Sequence, residues 1–369
     1  LILKYEKENN RNLRLLSPAE SINGITVGAM FSDLCQNEIP LPFQTEVAVP
    51  YIPSPTSSLG GGINNSVKPD IFVSGGRKFV RQGIYENSLS WCNSNIEPGI
   101  KTAAPYYVTE GKNYHYIWGT SASTAIVSHN AGKLYDIIKD VFVQNSNEDF
   151  NKYAAVLVKA MLVHGAKWDD DFYNILNSAI GVSGRGSNEI YKWVGYGVPD
   201  FNRVIECTNR RVTFVGYGEL RRDDAHSFKF PLPVDLHSHK IKRDTTITLS
   251  YLTPISTGNQ KYRDAQVWFT VDDEGKKMIG KRDNVDDKVG NRGTLQHETY
   301  TCDSIIVWDE THTDFEIKVN CTDCASKFID SIPYAIFITI EFSVADDVDI
   351  YSKVIDKLDN RIDIKNYRC

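Results

Sequence analysis

The hydrophobic positions of residues 1–207 fall into short apolar runs that alternate with stretches of helical periodicity. This alternation is typical of an α/β fold, in which helices flank a parallel sheet. The runs GITVGAM, residues 24–30, and KPDIFVSGG, residues 68–76, predict two short buried strands. Residues 50–66, between them, are rich in Pro, Gly and Ser and predict a surface loop.

Two further stretches of this half predict helices. Residues 150–166 carry helical periodicity, and Gly165 is in the right place to end that helix. The other predicted helix opens at Ser121, after which apolar residues recur on one stripe. Its members are Ala122, Ala125, Ile126, Leu134, Ile137, Ile138 and Val141.

The pattern changes after about residue 209, where β-branched and aromatic residues dominate runs that are separated by polar turns. Such runs predict an all-β, sandwich-like domain. We therefore divide the chain into a first domain at residues 1–207 and a β domain at 208–369, which ends in a short charged tail. The predicted strands lie in residues 210–218, 245–252, 265–271, 303–310, 315–320 and 334–344.

Composition excludes several classes of protein. Of the 369 residues, 41% are hydrophobic and 24% are charged, which is ordinary for a globular protein. The formal net charge of -6 and the absence of a dense Lys/Arg cluster argue against a nucleic-acid partner. No apolar run is long enough to cross a bilayer, so we expect no membrane partner. The sequence names no regulatory partner.

The seven cysteines lack the dense spacing of a disulfide framework, which favours a reducing, cytoplasmic compartment over secretion. The chain begins with Leu1, so the lack of a leader says nothing about export. Cys321 and Cys324 have zinc-like spacing, but a four-ligand zinc site needs a second pair of ligands, and the sequence shows none. No loop of carboxylates has a calcium-binding pattern. We expect neither a metal nor another cofactor.

Ser121 is the residue of greatest chemical interest, and two interpretations compete for it. A Ser at a helix start is an ordinary capping residue. The same position suits a nucleophile, because free backbone amides and the helix dipole face the charge that develops on an oxyanion. Small neighbours, Gly119 and Ala122, leave room for a substrate carbonyl. The motif G-x-S-x-G is not met, because Ser123 occupies the place of its last glycine.

Four segments together resemble the subtilases, the family of subtilisin-like serine peptidases. Residues 119–123, Gly-Thr-Ser-Ala-Ser, resemble the family's nucleophile motif, and three more segments follow the family's patterns in the correct chain order: NGITVGAM at 23–30, KPDIFVSGG at 68–76 and GYGVPDFNRVI at 195–205. The resemblance implies that Ser121 is the nucleophile, that Gly119 and Thr120 bind substrate, and that the substrate is a protein or peptide.

The family orders its catalytic residues as Asp, His and Ser along the chain, so the base should precede Ser121. His115 is the one histidine before Ser121, and it lacks the family's His-Gly-Thr setting. We interpret His115 as a surface or loop residue. His164 is followed by Gly165 and so imitates that setting, but it comes after the serine. We interpret it as a capping or partly buried histidine at a helix end.

The family's Asp-[Ser/Thr]-Gly is also absent before Ser121. Asp33 follows the first predicted strand, and the resemblance implies a structural role for Asp70, which lies within the Lys-Pro-Asp motif. Asn9 and Asn10 are the nearest counterparts of the family's oxyanion asparagine, but the expected small residues do not precede them.

These departures lead to two expectations. In the first, the chain is truncated and begins inside a subtilisin-like endopeptidase domain, after the segment that carries the Asp, the His and the oxyanion Asn. The 369 residues alone are then inactive, although Ser121 forms the acyl-enzyme in the parent protein. In the alternative, the chain is an inactive pseudo-peptidase that serves as a protein-binding module.

Overall fold

The computed structural model forms two compact units, and each is described by itself. Unit 1 comprises residues 1–62, 67–131 and 167–199, and unit 2 comprises 63–66, 132–166 and 200–369. The structure describes residues 13–33, 43–48, 51–83, 85, 88–92, 97–105, 111–146, 148–168, 170–180, 189–206, 208–231, 240–283, 285, 287–305, 314–343, 352 and 366–368.

The helices are α1 (Thr120–Asn145), α2 (Phe150–His164), α3 (Asp170–Ile180), α4 (Tyr191–Val194), α5 (Phe201–Ile205), α6 (Asp273–Ile279) and α7 (Asp287–Gly290). The strands up to residue 199 are β1 (Val27–Met30), β2 (Gln44–Glu46), β3 (Ile71–Ser74), β4 (Phe79–Gln82), β5 (Leu89–Trp91), β6 (Ile100–Ala103), β7 (Tyr114–Ile117), β8 (Ala166–Lys167) and β9 (Val198–Pro199). The later strands are β10 (Arg211–Leu220), β11 (Asp224–Pro231), β12 (Arg243–Tyr251), β13 (Ala265–Val271), β14 (Lys281–Arg282), β15 (Leu295–Cys302), β16 (Asp314–Asp323), β17 (Ile332–Phe342) and β18 (Asn366–Arg368).

In unit 1 the strands β1 and β3 form a parallel pair. Val27 pairs with Ile71 and Met30 with Ser74, so both predicted buried strands are confirmed. Their apolar side chains are buried because β-branched and aromatic residues fill a pleated surface closely. One core cluster of this unit consists of Met30, Ile52, Leu59, Phe72, Leu176, Ile190, Trp193 and Val194.

The prediction of a surface loop at residues 50–66 was only partly right, because Tyr51, Asn64 and Asn65 are exposed and other residues of the segment are not. Ile52, Ser54 and Leu59 are buried, and the segment runs beside β1. The Phe31 amide donates to the Ile52 carbonyl, and the Ser54 amide donates to the Ala29 carbonyl. Because the backbone of residues 52–54 pairs with β1, its amide and carbonyl groups are satisfied without water, and this part of the segment can be buried despite the polar composition.

Unit 2 contains two antiparallel sheets. One has five strands in the order β10-β17-β12-β15-β14, and the other has four in the order β13-β16-β11-β18. Apolar residues of both sheets form one core cluster, which includes Ile247, Ile338, Val267 and Ile317. The β-rich character of residues 208–369 is confirmed, but the region is not all-β, because it also contains the helices α6 and α7. Residues 303–305 of the predicted strand at 303–310 are not in a strand, and residues 306–310 and 344 lie outside the described residues. Strands β11 and β15 were not predicted.

Helix α2 packs on β12 and β17 within unit 2. It ends at His164, and the amide of the predicted terminator Gly165 donates to the Val163 carbonyl. The Val156 carbonyl accepts a hydrogen bond from the Ser250 hydroxyl at 2.5 Å, which ties the helix to β12.

The division into domains at residue 207 stays a prediction. Within the described part of the chain, no helix is long and apolar enough to cross a membrane.

Candidate active site

Helix α1 begins directly after a glycine whose conformation few other residues adopt. Gly119 has φ of 113°, and Thr120 opens the helix. A side chain would be strained at this φ, whatever the space around it. The glycine therefore allows the chain to turn sharply from β7 into α1, and it places Ser121 in the first helical turn.

Two serines in this first turn have opposite environments. Ser123 is fully buried, and its hydroxyl donates to the carbonyl oxygens of Val73 at 3.0 Å and Ser74 at 3.2 Å. Residues two apart on a helix point about 200° apart. With Ser123 fixed against the end of β3, Ser121 faces away from it and is exposed. No described residue hydrogen-bonds the Ser121 hydroxyl.

Backbone hydrogen bonds join the helix start to both strands of the parallel pair. The Gly119 amide donates to the Gly75 carbonyl at 2.6 Å, and the Gly75 amide donates to the Met30 carbonyl at 2.8 Å. The Gly76 amide donates to the Ser32 carbonyl, also at 2.8 Å. A Cβ on Gly75 would lie 2.7 Å from Ala29 Cβ and 2.9 Å from Ser123 Oγ. The first turn of α1 is therefore held closely at the carboxyl end of the sheet.

Asp70 has the structural role that the resemblance implies. Its Oδ2 accepts hydrogen bonds from Lys68 Nζ at 2.5 Å and from the Thr26 amide at 2.7 Å. Lys68 also donates to the Gly24 carbonyl at 2.7 Å. Both charged side chains are buried, so each depends on the other for compensation of its charge. The pair fixes the entry to β1 beside the entry to β3.

Asp33 is engaged in a second ion pair. Its carboxylate accepts from Arg77 Nε at 3.1 Å and from the Arg77 amide at 3.2 Å. Arg77 also pairs with Glu46. The Asp33 carboxylate therefore joins the segment after β1 to the segment after β3, and no described contact directs it to a histidine.

The interpretation of His115 as a surface or loop residue was wrong. The residue lies in strand β7, opposite Thr102 of β6, and it is partly buried. Its Nδ1 atom is buried and has no hydrogen-bond partner among the described residues. The short hairpin of β6 and β7 explains the difference, because the pairing of two edge segments is not visible in either segment alone.

His164 is buried more completely than predicted, and both ring nitrogens are engaged within unit 2. Nε2 lies 2.7 Å from Thr339 Oγ1, and Nδ1 lies 2.8 Å from Thr248 Oγ1. Thr248 Oγ1 lies 2.7 Å from His297 Nδ1, and His297 Nε2 lies 3.0 Å from the Ala166 carbonyl oxygen. Because a carbonyl only accepts, His297 donates from Nε2, and Thr248 donates to His297. His164 then donates to Thr248 and accepts from Thr339.

The described side chains thus supply a positioned serine and no partner for its proton. An exposed hydroxyl at a helix start can attack a carbonyl and use nearby backbone amides to stabilise the oxyanion, but it needs a base. Asn9 and Asn10 lie outside the described residues. Among the described residues, no group of three His, Cys, Asp or Glu side chains is placed to hold a metal ion.

Two residues that position the site were missed in the sequence. The sequence marks Ser123 only as a small residue beside Ser121 that breaks the motif G-x-S-x-G, whereas its hydroxyl fixes the helix start. Thr56 lies near Gly119, because its Oγ1 would be 3.4 Å from a Cβ at that glycine. The Thr56 and Ser54 hydroxyls lie 2.9 Å apart. A Ser at a helix start was the available signal for Ser123, whereas nothing local indicates Thr56.

Comparison with known proteins adds three findings. The family model described as the subtilase family matches residues 6–197. The chain is 25% identical over 269 residues to an uncharacterized protein of Sinorhizobium fredii, y4bN, which covers 70% of this chain and 56% of that protein. The chain thus spans about half the length of this curated relative. A solved family GH115 4-O-methyl-α-glucuronidase has 9% identity and a TM-score of 0.18 over 51% of this chain and 28% of its own.

Proposed function

The chain belongs to the subtilase family, whose members are serine peptidases, and from this premise we propose that Ser121 is the nucleophile of a serine endopeptidase. The observation that carries the proposal is the contrast between the two serines of the first α1 turn. Ser123 is buried and hydrogen-bonded to the sheet, whereas Ser121 is exposed beside the free amides of the helix start.

In the proposed reaction, Ser121 Oγ attacks the carbonyl carbon of the scissile peptide bond. A general base takes the hydroxyl proton, and the Ser121 amide donates to the oxyanion. The C–N bond then breaks as the base returns the proton to the leaving amine. Water hydrolyses the resulting ester and restores the serine. Gly119 and Thr120 bind the substrate, which is a protein or peptide.

We assign the general base to a group other than His115 and His164. Both ring nitrogens of His164 are hydrogen-bonded, one to Thr248 and the other to Thr339. His115 makes no described hydrogen bond to Ser121, and Asp33 and Asp70 are held by Arg77 and Lys68. We therefore expect residues 1–369 alone to be inactive as a peptidase.

The test compares two proteins, residues 1–369 and the product of the complete coding region that contains them. We expect the second to hydrolyse casein and to form an adduct with a fluorophosphonate at Ser121. Ser121→Ala should abolish both signals, whereas Ser128→Ala, an exposed serine of the same helix, should leave them unchanged. Equal hydrolysis by the wild type and Ser121→Ala would refute the assignment.

The alternative, a pseudo-peptidase that binds a partner protein, is favoured by one observation. No described histidine or carboxylate hydrogen-bonds the Ser121 hydroxyl, so the described residues contain an unactivated serine. If the complete product neither hydrolyses casein nor forms the adduct, the binding-module function replaces the peptidase.

A further inference from the structure

Thr56 forms the surface beside the glycine that precedes α1. A Cβ on Gly119 would lie 3.4 Å from Thr56 Oγ1 and 3.9 Å from Thr56 Cβ. Gly119 itself is buried, whereas Thr56 is exposed. The group that the described residues present outward at this point is therefore the side chain of Thr56.

This position is close to the proposed nucleophile. Gly119 precedes Ser121 by two residues, and consecutive Cα atoms are about 3.8 Å apart, so Thr56 Oγ1 lies at most about 13 Å from Ser121 Cα. An extended peptide rises about 3.3–3.6 Å per residue. A peptide that is bound at Ser121 can therefore reach Thr56 within about four residues of the scissile bond.

The loop that carries Thr56 is fixed to β1. The Ser54 amide donates to the Ala29 carbonyl at 2.8 Å, and the Ala29 amide donates to Ser57 Oγ at 3.1 Å. The start of α1 is joined to the same pair of strands by the backbone hydrogen bonds of Gly119 and Gly75. The hydroxyl of Thr56 is thus positioned in advance, and a substrate that binds it does not need to order a loop.

The hydrogen bonds of Ser54 determine which of the two hydroxyls donates to the other. The hydroxyl oxygens of Ser54 and Thr56 lie 2.9 Å apart, and the Thr56 amide donates to Ser54 Oγ at 3.3 Å. Ser54 is fully buried, and no other described group accepts from its hydroxyl. A buried donor without an acceptor is costly, so Ser54 donates to Thr56 Oγ1. The proton of Thr56 is then available on the exposed side.

We propose that the Thr56 hydroxyl donates a hydrogen bond to a main-chain carbonyl oxygen of the peptide that binds at Ser121. This inference rests on the proposed function, to which it adds a residue that holds the substrate. Thr56 Oγ1 already accepts from Ser54, so it meets the substrate as a donor, and a peptide offers a carbonyl acceptor at every residue. Because all peptides share this acceptor, the contribution of Thr56 is independent of the substrate sequence.

The test uses the product of the complete coding region and two internally quenched peptides of different sequence that it cleaves. Thr56→Val keeps the branched shape and removes the hydroxyl. We expect kcat/KM to fall about fivefold for both peptides, chiefly through KM, because the hydrogen bond is already present in the bound substrate. Thr56→Ser restores the hydroxyl and should bring kcat/KM to within about twofold of the wild type.

Two further variants make the comparison secure. Ser54→Ala combined with Thr56→Val removes both hydroxyls, so no buried hydroxyl is left unmet. This double variant should lose activity to the same extent, and it replaces Thr56→Val if that variant fails to fold. Thr45→Val is the matched control, because Thr45 is an exposed threonine of β2, where valine suits the strand. It should leave kcat/KM unchanged.

Labelling of Ser121 with a fluorophosphonate separates this inference from the proposed function, because the reagent is not a peptide. Thr56→Val should leave the rate of labelling unchanged. If the wild type labels and cleaves, and Thr56→Val has the same kcat/KM, the role of Thr56 is refuted and the nucleophile stands. Equal losses for Thr56→Val and either Thr56→Ser or Thr45→Val also refute it. If the wild type neither labels nor cleaves, the proposed function fails and this inference fails with it.

Discussion

The hydroxyl of Ser123 donates a hydrogen bond to the carbonyl oxygen of Val73 at 3.0 Å, which joins the first turn of α1 to the end of β3. Ser123→Ala removes this bond and leaves a buried carbonyl with one acceptor site unmet. We expect the free energy of unfolding to fall by about 1–2 kcal/mol. Urea denaturation, followed by circular dichroism, measures the loss.

Ser121→Ala is the matched control for that substitution. Ser121 lies two residues earlier on the same helix, is exposed, and has no described hydrogen-bond partner. Its replacement should change the free energy of unfolding by less than about 0.5 kcal/mol. A larger loss for Ser121→Ala than for Ser123→Ala would contradict the assignment of Ser123 as the residue that positions the helix.

Two glycines of this region should respond to alanine with opposite signs. Gly119 has φ of 113°, and Gly119→Ala should cost about 1–3 kcal/mol because an L-residue is strained there. Gly132 lies within α1, and a Cβ there would meet no atom within 4 Å. Gly132→Ala should therefore stabilise the protein by about 0.5–1 kcal/mol. Thermal unfolding of the two variants measures both signs, and a loss for Gly132→Ala would contradict this view of the helix.

The sequence allowed the strands β1 and β3 and the start of α1 to be predicted, because short β-branched runs and a Ser before helical periodicity are local signals. It did not reveal the burial of residues 52–54, 57 and 59. Their composition is polar, and their stability comes from distant contacts such as Ala29 N–H donating to Ser57 Oγ at 3.1 Å. The same limit concealed β15, where the buried Gln296 donates a hydrogen bond to the buried Glu298.

In the candidate site, too, local signals could be predicted from the sequence and distant contacts could not. Ser121 was predicted from its position at a helix start and from the order of four motifs, and its role stays a prediction. The hydrogen bonds of His164 to Thr248 and Thr339 were not predictable, because their partners lie 84 and 175 residues away along the chain. Pairing at such distances is set by tertiary packing, which a local pattern does not encode.

Arg243 is 1% exposed and holds several backbone carbonyls at once. Its Nε donates to Met278 at 2.7 Å, and its Nη1 donates to Ser304 at 2.9 Å and to Ile241 at 3.1 Å. A lysine has one charged head and lacks this fork, so Arg243→Lys should cost about 3 kcal/mol in the free energy of unfolding.

The control for Arg243→Lys is Arg222→Lys. The Arg222 side chain is 46% exposed, and its Nε lies 2.8 Å from Asp323 Oδ2. Surface pairs of this kind contribute about 0–1 kcal/mol, so the substitution should have a small effect. Urea denaturation of both variants provides the comparison, and equal losses would show that the fork of Arg243 is not what stabilises this region.

The buried His164 should make the stability of unit 2 depend on pH. Burial, with His297 and Arg203 nearby, holds the pKa of His164 well below its ordinary value, so the imidazole stays neutral when folded. An unfolded histidine titrates near pH 6.5. Below that pH the His164 imidazole binds a proton in the unfolded chain but not in the folded chain, so unfolding is favoured. Stability should therefore be full above about pH 6.5 and should fall by up to about 1.4 kcal/mol per pH unit as the pH decreases.

Urea denaturation at about pH 7.5 and about pH 5.5 tests this dependence, because the two values lie on either side of the ordinary histidine pKa. His164→Gln retains a donor and an acceptor for Thr248 and Thr339 but does not titrate, so the difference between the two pH values should shrink. His129→Gln, which removes an exposed histidine of α1, should leave that difference unchanged. If His164→Gln keeps the full difference, the pH dependence arises from other groups, and the neutral imidazole of His164 contributes nothing to it.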